Sequence, residues 1–198
     1  MERSEYIEKY LAELKGLLTE MEGHIIEEFN KIADILYVAR SNGNTIFIMG
    51  NGGSAATATH FVGDLSKGTI VEGHPRFKAI GLTDNIPNML AWANDASYED
   101  IFVEQLVNLM DEGDVVIGIS GSGNSPNVVK AMEFANNNGG ITIGITGYSP
   151  ENKMMKTAKH NIHIPSYNMQ QCEDIHIILE HMLTSMIREE QKDGTGTA

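Results

Sequence analysis

Apolar side chains recur at two different spacings along this chain. Over residues 6–39 they return every three or four positions, which predicts two amphipathic helices with a break near Gly23. After residue 44, short apolar runs alternate with stretches of helical spacing. The predicted strands cover residues 45–49, 77–82, 114–119, 141–146 and 161–164, and the predicted helices cover 54–65, 86–93, 98–110, 126–137 and 171–188.

Strands that alternate with helices predict a doubly wound sheet, because each crossover helix returns the chain to pair in parallel. We therefore expect an α/β fold with three layers, in which helices cover both faces of a five-stranded parallel sheet. Residues 1–191 form a single domain in this prediction, with the helical pair at 1–41 included, and residues 192–198 form a disordered tail. The helical pair and the long last helix exceed what one small sheet needs for cover, so we expect homo-oligomeric contacts there.

The composition argues against several classes of protein. The formal net charge of −13 speaks against nucleic acid as a ligand, because binding a phosphate backbone needs clustered Lys and Arg. The longest apolar runs, at 46–49 and 115–119, are far too short to cross a bilayer. The first residues lack the pattern of a signal peptide, and the one cysteine, Cys172, has no partner within the chain. We therefore expect a cytoplasmic protein without a membrane partner.

Two loops rich in glycine and serine each follow a predicted strand and open a predicted helix. They read GNGGS at residues 50–54 and SGSGNS at residues 120–125. Glycine lets the backbone approach a ligand, serine supplies hydroxyl donors, and a helix start presents free N–H groups to an anion. Because parallel strands end at one edge of their sheet, we expect both loops to hold one phosphorylated ligand. The candidate binding residues are Asn51, Gly52, Gly53, Ser54, Ser120, Gly121, Ser122 and Ser125.

The same loops have two other interpretations, a helix cap and a dinucleotide site. Ser125 and Pro126 have the residue types of an N-cap and a first helical residue, so Ser125 alone is equally well explained by capping. A Rossmann dinucleotide site is a poor alternative, because the first loop lacks the Gly-x-Gly-x-x-Gly spacing.

Ionisable side chains cluster on two of the predicted helices. His60 and Asp64 are four residues apart and share a helix face, which suits either two metal ligands or an acid–base pair. Polar groups threaded through an apolar helix need partners, and a functional site is one way to supply them. The last helix has five such groups among aliphatic residues, namely Glu173, Asp174, His176, Glu180 and His181.

Four stretches carry a resemblance to a known family. They are GNGGSAATATHFVGDL from residue 50, AWANDASYEDIF from residue 91, ISGSGNSPNVVKAME from residue 119 and EDIHIILEHML from residue 173. The chain resembles the sugar isomerase (SIS) domain of the sedoheptulose 7-phosphate isomerase, or phosphoheptose isomerase, family. The similarity runs in one register to Arg188, so residues 1–191 are expected to be one SIS domain.

This resemblance implies a homotetramer with a flavodoxin-like sheet and a zinc ion. The implied reaction interconverts sedoheptulose 7-phosphate and D-glycero-D-manno-heptose 7-phosphate through an enediol-type intermediate, in the synthesis of heptose precursors of surface carbohydrates. It also implies that Asn94 and Asp95 form the family's Asn–Asp pair, with the aspartate facing the sugar. The residues that match its phosphate and hydroxyl contacts are Ser54, Ser120, Ser122 and Ser125.

The resemblance further implies that His60 and His181 are zinc ligands and that His181 is also an acid or base. Asp64 and Glu173 stand where better-known members have glutamate and glutamine. The four residues would form a shell of two nitrogens and two carboxylates, although the carboxylates could favour a harder ion. Glu173 and His181 lie about 12 Å apart along a helix axis, so one ion joins them only between extended side chains or across two subunits.

Aldose–ketose isomerisation moves a proton between adjacent carbons, which requires a base and an acid or a metal ion. Our hypothesis is that Asp64 or Glu173 takes the proton and that His181 carries out the other transfer. Two alternatives stay open. One is a catalytically silent SIS protein that binds a phosphosugar or a protein partner as a regulator, and the other is an isomerase of another phosphosugar.

Overall fold

Five parallel strands form the central sheet of the structure, a computed structural model that describes residues 2–195. The strands are β1 (Thr45–Gly50), β2 (Lys78–Gly81), β3 (Val115–Ser120), β4 (Ile141–Thr146) and β5 (His160–His163). Their order in the sheet is β2-β1-β3-β4-β5, so the direction of winding reverses between β1 and β3. This is the flavodoxin-like order, and the expectation of an α/β fold with a five-stranded parallel sheet is confirmed.

Seven α-helices of the described chain cover the two faces of this sheet. The helices are α1 (Arg3–Asn42), α2 (Gly53–Gly63), α3 (Ile86–Asp95), α4 (Val103–Leu109), α5 (Pro126–Asn137), α6 (Lys153–Thr157) and α7 (Met169–Asp193). A π-helical turn, Asp64–Gly68, continues α2, and a 3-10 turn, Tyr98–Asp100, precedes α4. None of the helices within residues 2–195 has the length and apolarity that crossing a bilayer requires.

The alternation of side chains along β1 creates the two faces of the core. Ile46 and Ile48 pack into the cluster formed with α1, α2 and α7. Phe47 and Met49 pack into the cluster on the opposite face, formed with α4 and α5. All four side chains are fully buried, as expected for a central strand of a parallel sheet. The sheet therefore places α2 and α7 side by side on one face.

The first helix is continuous, so the prediction of a helical pair with a break near Gly23 is wrong. A single glycine costs a helix only about 1 kcal/mol relative to alanine. Met21 and Phe29, on either side of Gly23, are both buried in the same cluster, and this packing outweighs the local cost. The helix ends at Asn42, where Gly43 adopts the left-handed conformation with φ of 73°.

Several other boundaries differ from the prediction for local reasons. The predicted helix at 98–110 is divided into a 3-10 turn and α4, and α6 was not predicted. The last helix begins at Met169, because the side chain of Asn168 accepts hydrogen bonds from the backbone N–H groups of residues 170 and 171. It continues to Asp193, so the first two residues of the expected tail are helical. Residues 196–198 lie outside the described part of the chain.

Candidate active site

Both glycine- and serine-rich loops meet at the point where the strand order reverses. In the register of the two strands, Gly50 at the end of β1 lies beside Ile119 of β3. The loops that follow face one cavity of about 250 Å³. All eight binding residues expected from the loops line it, together with three further residues. The lining residues are Asn51, Gly52, Gly53, Ser54, Ile119, Ser120, Gly121, Ser122, Ser125, Met169 and Glu173.

Three serine hydroxyls converge in the second loop. The Ser120 Oγ lies 3.1 Å from the Ser125 Oγ and 3.4 Å from the Ser122 Oγ. Ser125 is the N-cap residue of α5, as its position predicts, but its side chain makes no capping hydrogen bond. The hydroxyl is directed to Ser120 instead. The first residue of α5 is a proline without an N–H, and the Val128 N–H donates to the Asn127 Oδ1. The second loop therefore offers an anion its hydroxyls and the positive end of the α5 dipole.

Glycine is required at two positions of the first loop. At Gly52 the backbone has φ of 57°, a conformation that residues other than glycine rarely adopt. At Gly50 an added Cβ would lie 2.7 Å from backbone atoms of Ser54, which is closer than carbon atoms can pack. The loop thus brings the N-terminus of α2 against the end of β1. The lining residues include no Lys or Arg, so donors in this cavity are backbone N–H groups and hydroxyls.

The side chain of Asn51 has a positioning role that the sequence did not reveal. It exchanges two hydrogen bonds of 2.9 Å with Asn127 on α5, and it accepts a third, of 3.1 Å, from the Tyr98 hydroxyl. These bonds connect the first loop to the helix that follows the second loop. Asn94 and Asp95, at the end of α3, are exposed, bonded to each other, and not among the residues that line the cavity.

A second polar group lies farther along α2 and α7. His60 of α2, Asp64 of the π-helical turn, and Glu180 and His181 of α7 each direct a ligand atom to one place, and these atoms lie within 4.8 Å of one another. The rings of His60 and His181 are perpendicular, with centroids 4.9 Å apart. His60 and His181 are about half exposed, Asp64 is one-third exposed and Glu180 has no exposed side-chain surface. We call these four residues the His–carboxylate group.

Glu180 is the unusual member of this group. Its Oε2 lies 3.4 Å from the His181 Nε2 and 4.0 Å from the His60 Nδ1, and neither of its oxygens has a hydrogen-bond partner among the described residues. Burial raises the pKa of Glu180 to about 8, and the nearby Asp64 carboxylate adds to this rise. The donor set of two imidazoles and two carboxylates fits a divalent ion such as zinc.

Glu173 is not part of the His–carboxylate group, although the sequence placed it among the metal ligands. Its carboxylate lies against the N-terminus of α2, where a Cβ added at Gly53 would come within 2.3 Å of it. Seven residues, or about 10 Å of helix, separate it from Glu180. Within one subunit, α7 therefore presents Glu173 to the cavity and Glu180 to the histidines. The sequence signal for Glu180 was a lone acid that follows three aliphatic residues, 177–179.

The two parts of the site lie on the same two helices. His60 follows Gly53 by seven residues on α2, and His181 follows Glu173 by eight on α7, which places the His–carboxylate group about 10 to 12 Å along the helices from the cavity. A molecule whose anionic end occupies the cavity can therefore reach the histidines with its other end only if it is extended.

The fold and the paired serine loops define the class of protein as a SIS domain, and the family model of that domain matches residues 9–147. The sequence is 40% identical over 164 residues to the probable phosphoheptose isomerase of Thermoplasma acidophilum, covering 83% of this chain and 89% of that protein. It is 35% identical over 189 residues to the phosphoheptose isomerase of Aquifex aeolicus, covering 96% of each. The chain belongs to the phosphoheptose isomerase family.

Solved structures agree with this assignment. The phosphoheptose isomerase of Neisseria gonorrhoeae superposes with a TM-score of 0.86 over 94% of this chain and 98% of that one, at 28% sequence identity. The phosphoheptose isomerase of Francisella tularensis superposes with a TM-score of 0.87, and at 24% identity it shows the similarity of the fold alone. The expectation that the chain is a SIS domain of this family is confirmed.

Proposed function

We propose that this protein is an aldose–ketose isomerase that interconverts sedoheptulose 7-phosphate and D-glycero-D-manno-heptose 7-phosphate, in the synthesis of heptose precursors of surface carbohydrates. The observation that carries the proposal is the pairing of one donor-rich cavity with a His–carboxylate group along the same two helices. Relatives named phosphoheptose isomerase match nearly the whole chain, which supports the same reaction. The substrate is a small phosphorylated sugar.

The cavity would hold the phosphate. Ser120, Ser122 and Ser125 offer hydroxyls, the start of α2 offers backbone N–H groups, and both α2 and α5 direct the positive ends of their dipoles to the cavity. Binding energy from this end of the sugar would position the reacting carbons at the other end. We expect Asn94 and Asp95 to contact the sugar, as the family resemblance implies.

The spacing of the two parts suits a long sugar. An extended chain of single bonds advances about 1.2 Å per bond, so carbons 1 and 2 of a seven-carbon 7-phosphate lie about 9 Å from phosphorus. In a five-carbon 5-phosphate the same atoms lie only about 6 to 7 Å away. The helical distance of about 10 Å from Gly53 to His60 therefore favours the longer substrate.

The chemistry requires a base at the acidic carbon and an acid at the carbonyl oxygen. His181 is about half exposed and Asp64 is one-third exposed, so both can reach a substrate in solvent contact. We propose that Asp64 or Glu173 takes the proton from carbon and that His181 transfers the proton at oxygen. Glu173 lines the cavity with its carboxylate at the start of α2, where it can contact a bound sugar.

A divalent metal ion, zinc by family resemblance, would be held by His60, Asp64 and His181. When bound, it would supply Lewis-acid polarisation of the substrate carbonyl. We further propose that the protein works in the cytoplasm, where its buried Cys172 stays a thiol.

We also propose that the protein is a homo-oligomer, a tetramer as the resemblance implies. Two apolar grooves of about 410 and 360 Å³ lie between α1 and α7 on the surface of the single chain. Ile26 and Met182 line both grooves and are 62% and 44% exposed. Exposed apolar grooves of this size are typical of surfaces that pack against another subunit.

A turnover assay tests the proposed reaction directly. Purified protein is assayed on five-, six- and seven-carbon ketose phosphates, as prepared, after chelation and after zinc is restored. We expect isomerisation of sedoheptulose 7-phosphate that chelation removes and zinc restores. Sugar phosphate binding without any turnover would favour the silent regulator, and a preference for a shorter sugar would favour the isomerase of another phosphosugar.

The substitution His181→Gln tests the proposed proton transfer. A positioned acid or base contributes about a hundredfold to ten-thousandfold to a rate, so we expect kcat to fall by at least about a hundredfold while sugar phosphate still binds. Binding is measured by calorimetry with the substrate. Near-normal kcat would remove His181 from the mechanism.

A further inference from the structure

Glu180 lies in surroundings that do not favour a carboxylate. Its side chain has no exposed surface and borders a small internal cavity whose other lining residues are apolar, among them Phe29, Ile32, Phe61 and Leu183. Burying an unpaired charged group costs several kcal/mol, and a buried acid is therefore paired with a cation or bonded to donors in most proteins. Its retention at this position requires an explanation.

Among the described residues, only the two histidines lie at salt-bridge distance from Glu180, and neither of its oxygens has a hydrogen-bond partner. The Oε2 is 3.4 Å from the His181 Nε2 and 4.0 Å from the His60 Nδ1. Ligand atoms around a tetrahedral zinc ion, with bonds of about 2.0 to 2.2 Å, are separated by roughly 3.3 to 3.6 Å. The ligand atoms of the His–carboxylate group, all within 4.8 Å of one another, are only slightly farther apart than that.

We propose that Glu180 is a metal ligand in this chain, together with His60, Asp64 and His181, and that Glu173 is not. All four ligands then come from one subunit, two from each of two packed segments. This inference deepens the proposed function, on which it rests for the identity of the site, but metal binding can be measured without turnover. A bound cation explains why an acid is retained among aliphatic side chains.

The position of Glu173 supports this assignment. Its carboxylate lies at the start of α2 and lines the phosphate cavity, about 10 Å along α7 from Glu180. A ligand set that used Glu173 with His181 would have to stretch across two helical turns. With Glu180 in that role, Glu173 is left free to contact the substrate.

The experiment compares Glu180→Gln with the matched variant Glu173→Gln. Each substitution replaces a carboxylate of α7 by an amide of the same size, one in the His–carboxylate group and one in the cavity. Zinc affinity of the stripped protein is measured by competition with a chromophoric chelator, and zinc content by mass spectrometry. We expect one ion per chain in the wild type, at least about a tenfold loss of affinity in Glu180→Gln, and less than a threefold change in Glu173→Gln.

A spectroscopic measurement identifies the metal ligands without relying on the zinc affinity. Cobalt in place of zinc gives a visible absorption spectrum that depends on the number and type of ligands. We expect this spectrum to change in Glu180→Gln and to stay unchanged in Glu173→Gln. Circular dichroism and thermal unfolding of the metal-free variants check folding, and Glu180→Asp, which keeps the charge but shortens the side chain, provides a second variant if Glu180→Gln fails to fold.

Three results would overturn the inference. They are a wild-type chain that binds no zinc, a Glu180→Gln variant with wild-type affinity and cobalt spectrum, or a larger loss in Glu173→Gln than in Glu180→Gln. The proposed function can fail without the metal assignment failing. If zinc binds through Glu180 but no ketose phosphate is isomerised, the metal assignment stands and the reaction is wrong.

Discussion

At the scale of single residues, serine hydroxyls take the place of cations in the anion site. The Oγ atoms of Ser122 and Ser125 lie 3.4 and 3.1 Å from the Ser120 Oγ, next to the start of α5. Hydroxyls and backbone N–H groups are uncharged donors, so the proposed site needs no cationic side chain to bind a phosphate, in a chain whose net charge is −13. In this proposal the binding energy comes from several hydrogen bonds, each of which can be tested.

The double substitution Ser122→Ala with Ser125→Ala should weaken substrate binding. Each hydrogen bond to a charged group contributes about 1.5 to 3 kcal/mol, and partial replacement by water leaves an expected rise in KM of about tenfold to a hundredfold. The value of kcat should change much less. Steady-state kinetics measure both constants. Ser41→Ala, which loses a hydrogen bond to the Tyr37 carbonyl near the end of α1, is the control, because α1 ends where β1 begins and the cavity lies at the other end of β1. Unchanged KM in the double variant would contradict the phosphate assignment.

A second residue-scale prediction concerns acid stability. His176 of α7 is fully buried, and burial lowers its pKa to about 4. Below about pH 6.5 the unfolded chain takes up a proton that the native His176 does not, so the native state loses stability as the pH falls from about 6.5 to about 4. At about pH 4.5 this group alone should cost roughly 2.5 kcal/mol.

The free energy of urea unfolding, measured at about pH 7 and about pH 4.5 at one protein concentration, checks this. In His176→Leu the decrease between the two values should be smaller than in the wild type by about 2 kcal/mol. An equal decrease in both proteins would show that His176 is not held in its neutral form.

At the scale of elements, the site depends on how α2 begins against the end of β1. Gly50 allows this approach, because a Cβ there would lie 2.7 Å from the backbone of Ser54. We expect Gly50→Ala to shift α2, to lower the free energy of unfolding by about 1 to 3 kcal/mol and to raise KM. Thermal unfolding and steady-state kinetics measure the two effects.

The control for this prediction is a glycine with open space around it. An added Cβ at Gly23, within α1, meets no atom within 4 Å. Gly23→Ala should therefore stabilise the protein by up to about 1 kcal/mol and leave KM unchanged. A destabilised Gly23→Ala would mean that α1 is not a regular helix at this point, and a fully active Gly50→Ala would contradict the close approach.

At the scale of the whole molecule, the grooves between α1 and α7 are the surfaces that we expect to pack against other copies. Ile26→Glu places a charge among apolar side chains that would be buried in such contacts. In sedimentation or light scattering, we expect the wild type to be an oligomer and Ile26→Glu to be a smaller species at the same concentration. Val38→Glu, an exposed position of α1 that does not line the grooves, is the control. A monomeric wild type would contradict the expectation.

The sequence by itself determined the layout of this protein. Apolar runs and helical spacings are local properties, so they located the five strands and placed the loops at 50–54 and 120–125 on one edge of a parallel sheet. The residue types of those loops indicated an anion site for the same reason, because glycine and serine act through their own backbone and hydroxyl groups. Helical spacing also singled out His60 and His181, and the resemblance to known isomerases added their expected role as zinc ligands.

Only the tertiary structure decided which other side chains lie beside the two histidines and the two loops. Glu180 rather than Glu173 lies beside the histidines, and Asn51 is bonded to Asn127, because α2, α5 and α7 pack at particular levels against the sheet. The continuity of α1 through Gly23 was decided in the same way, by burial of the residues on either side. Such proximity depends on how distant elements pack, and no local pattern of the sequence encodes it.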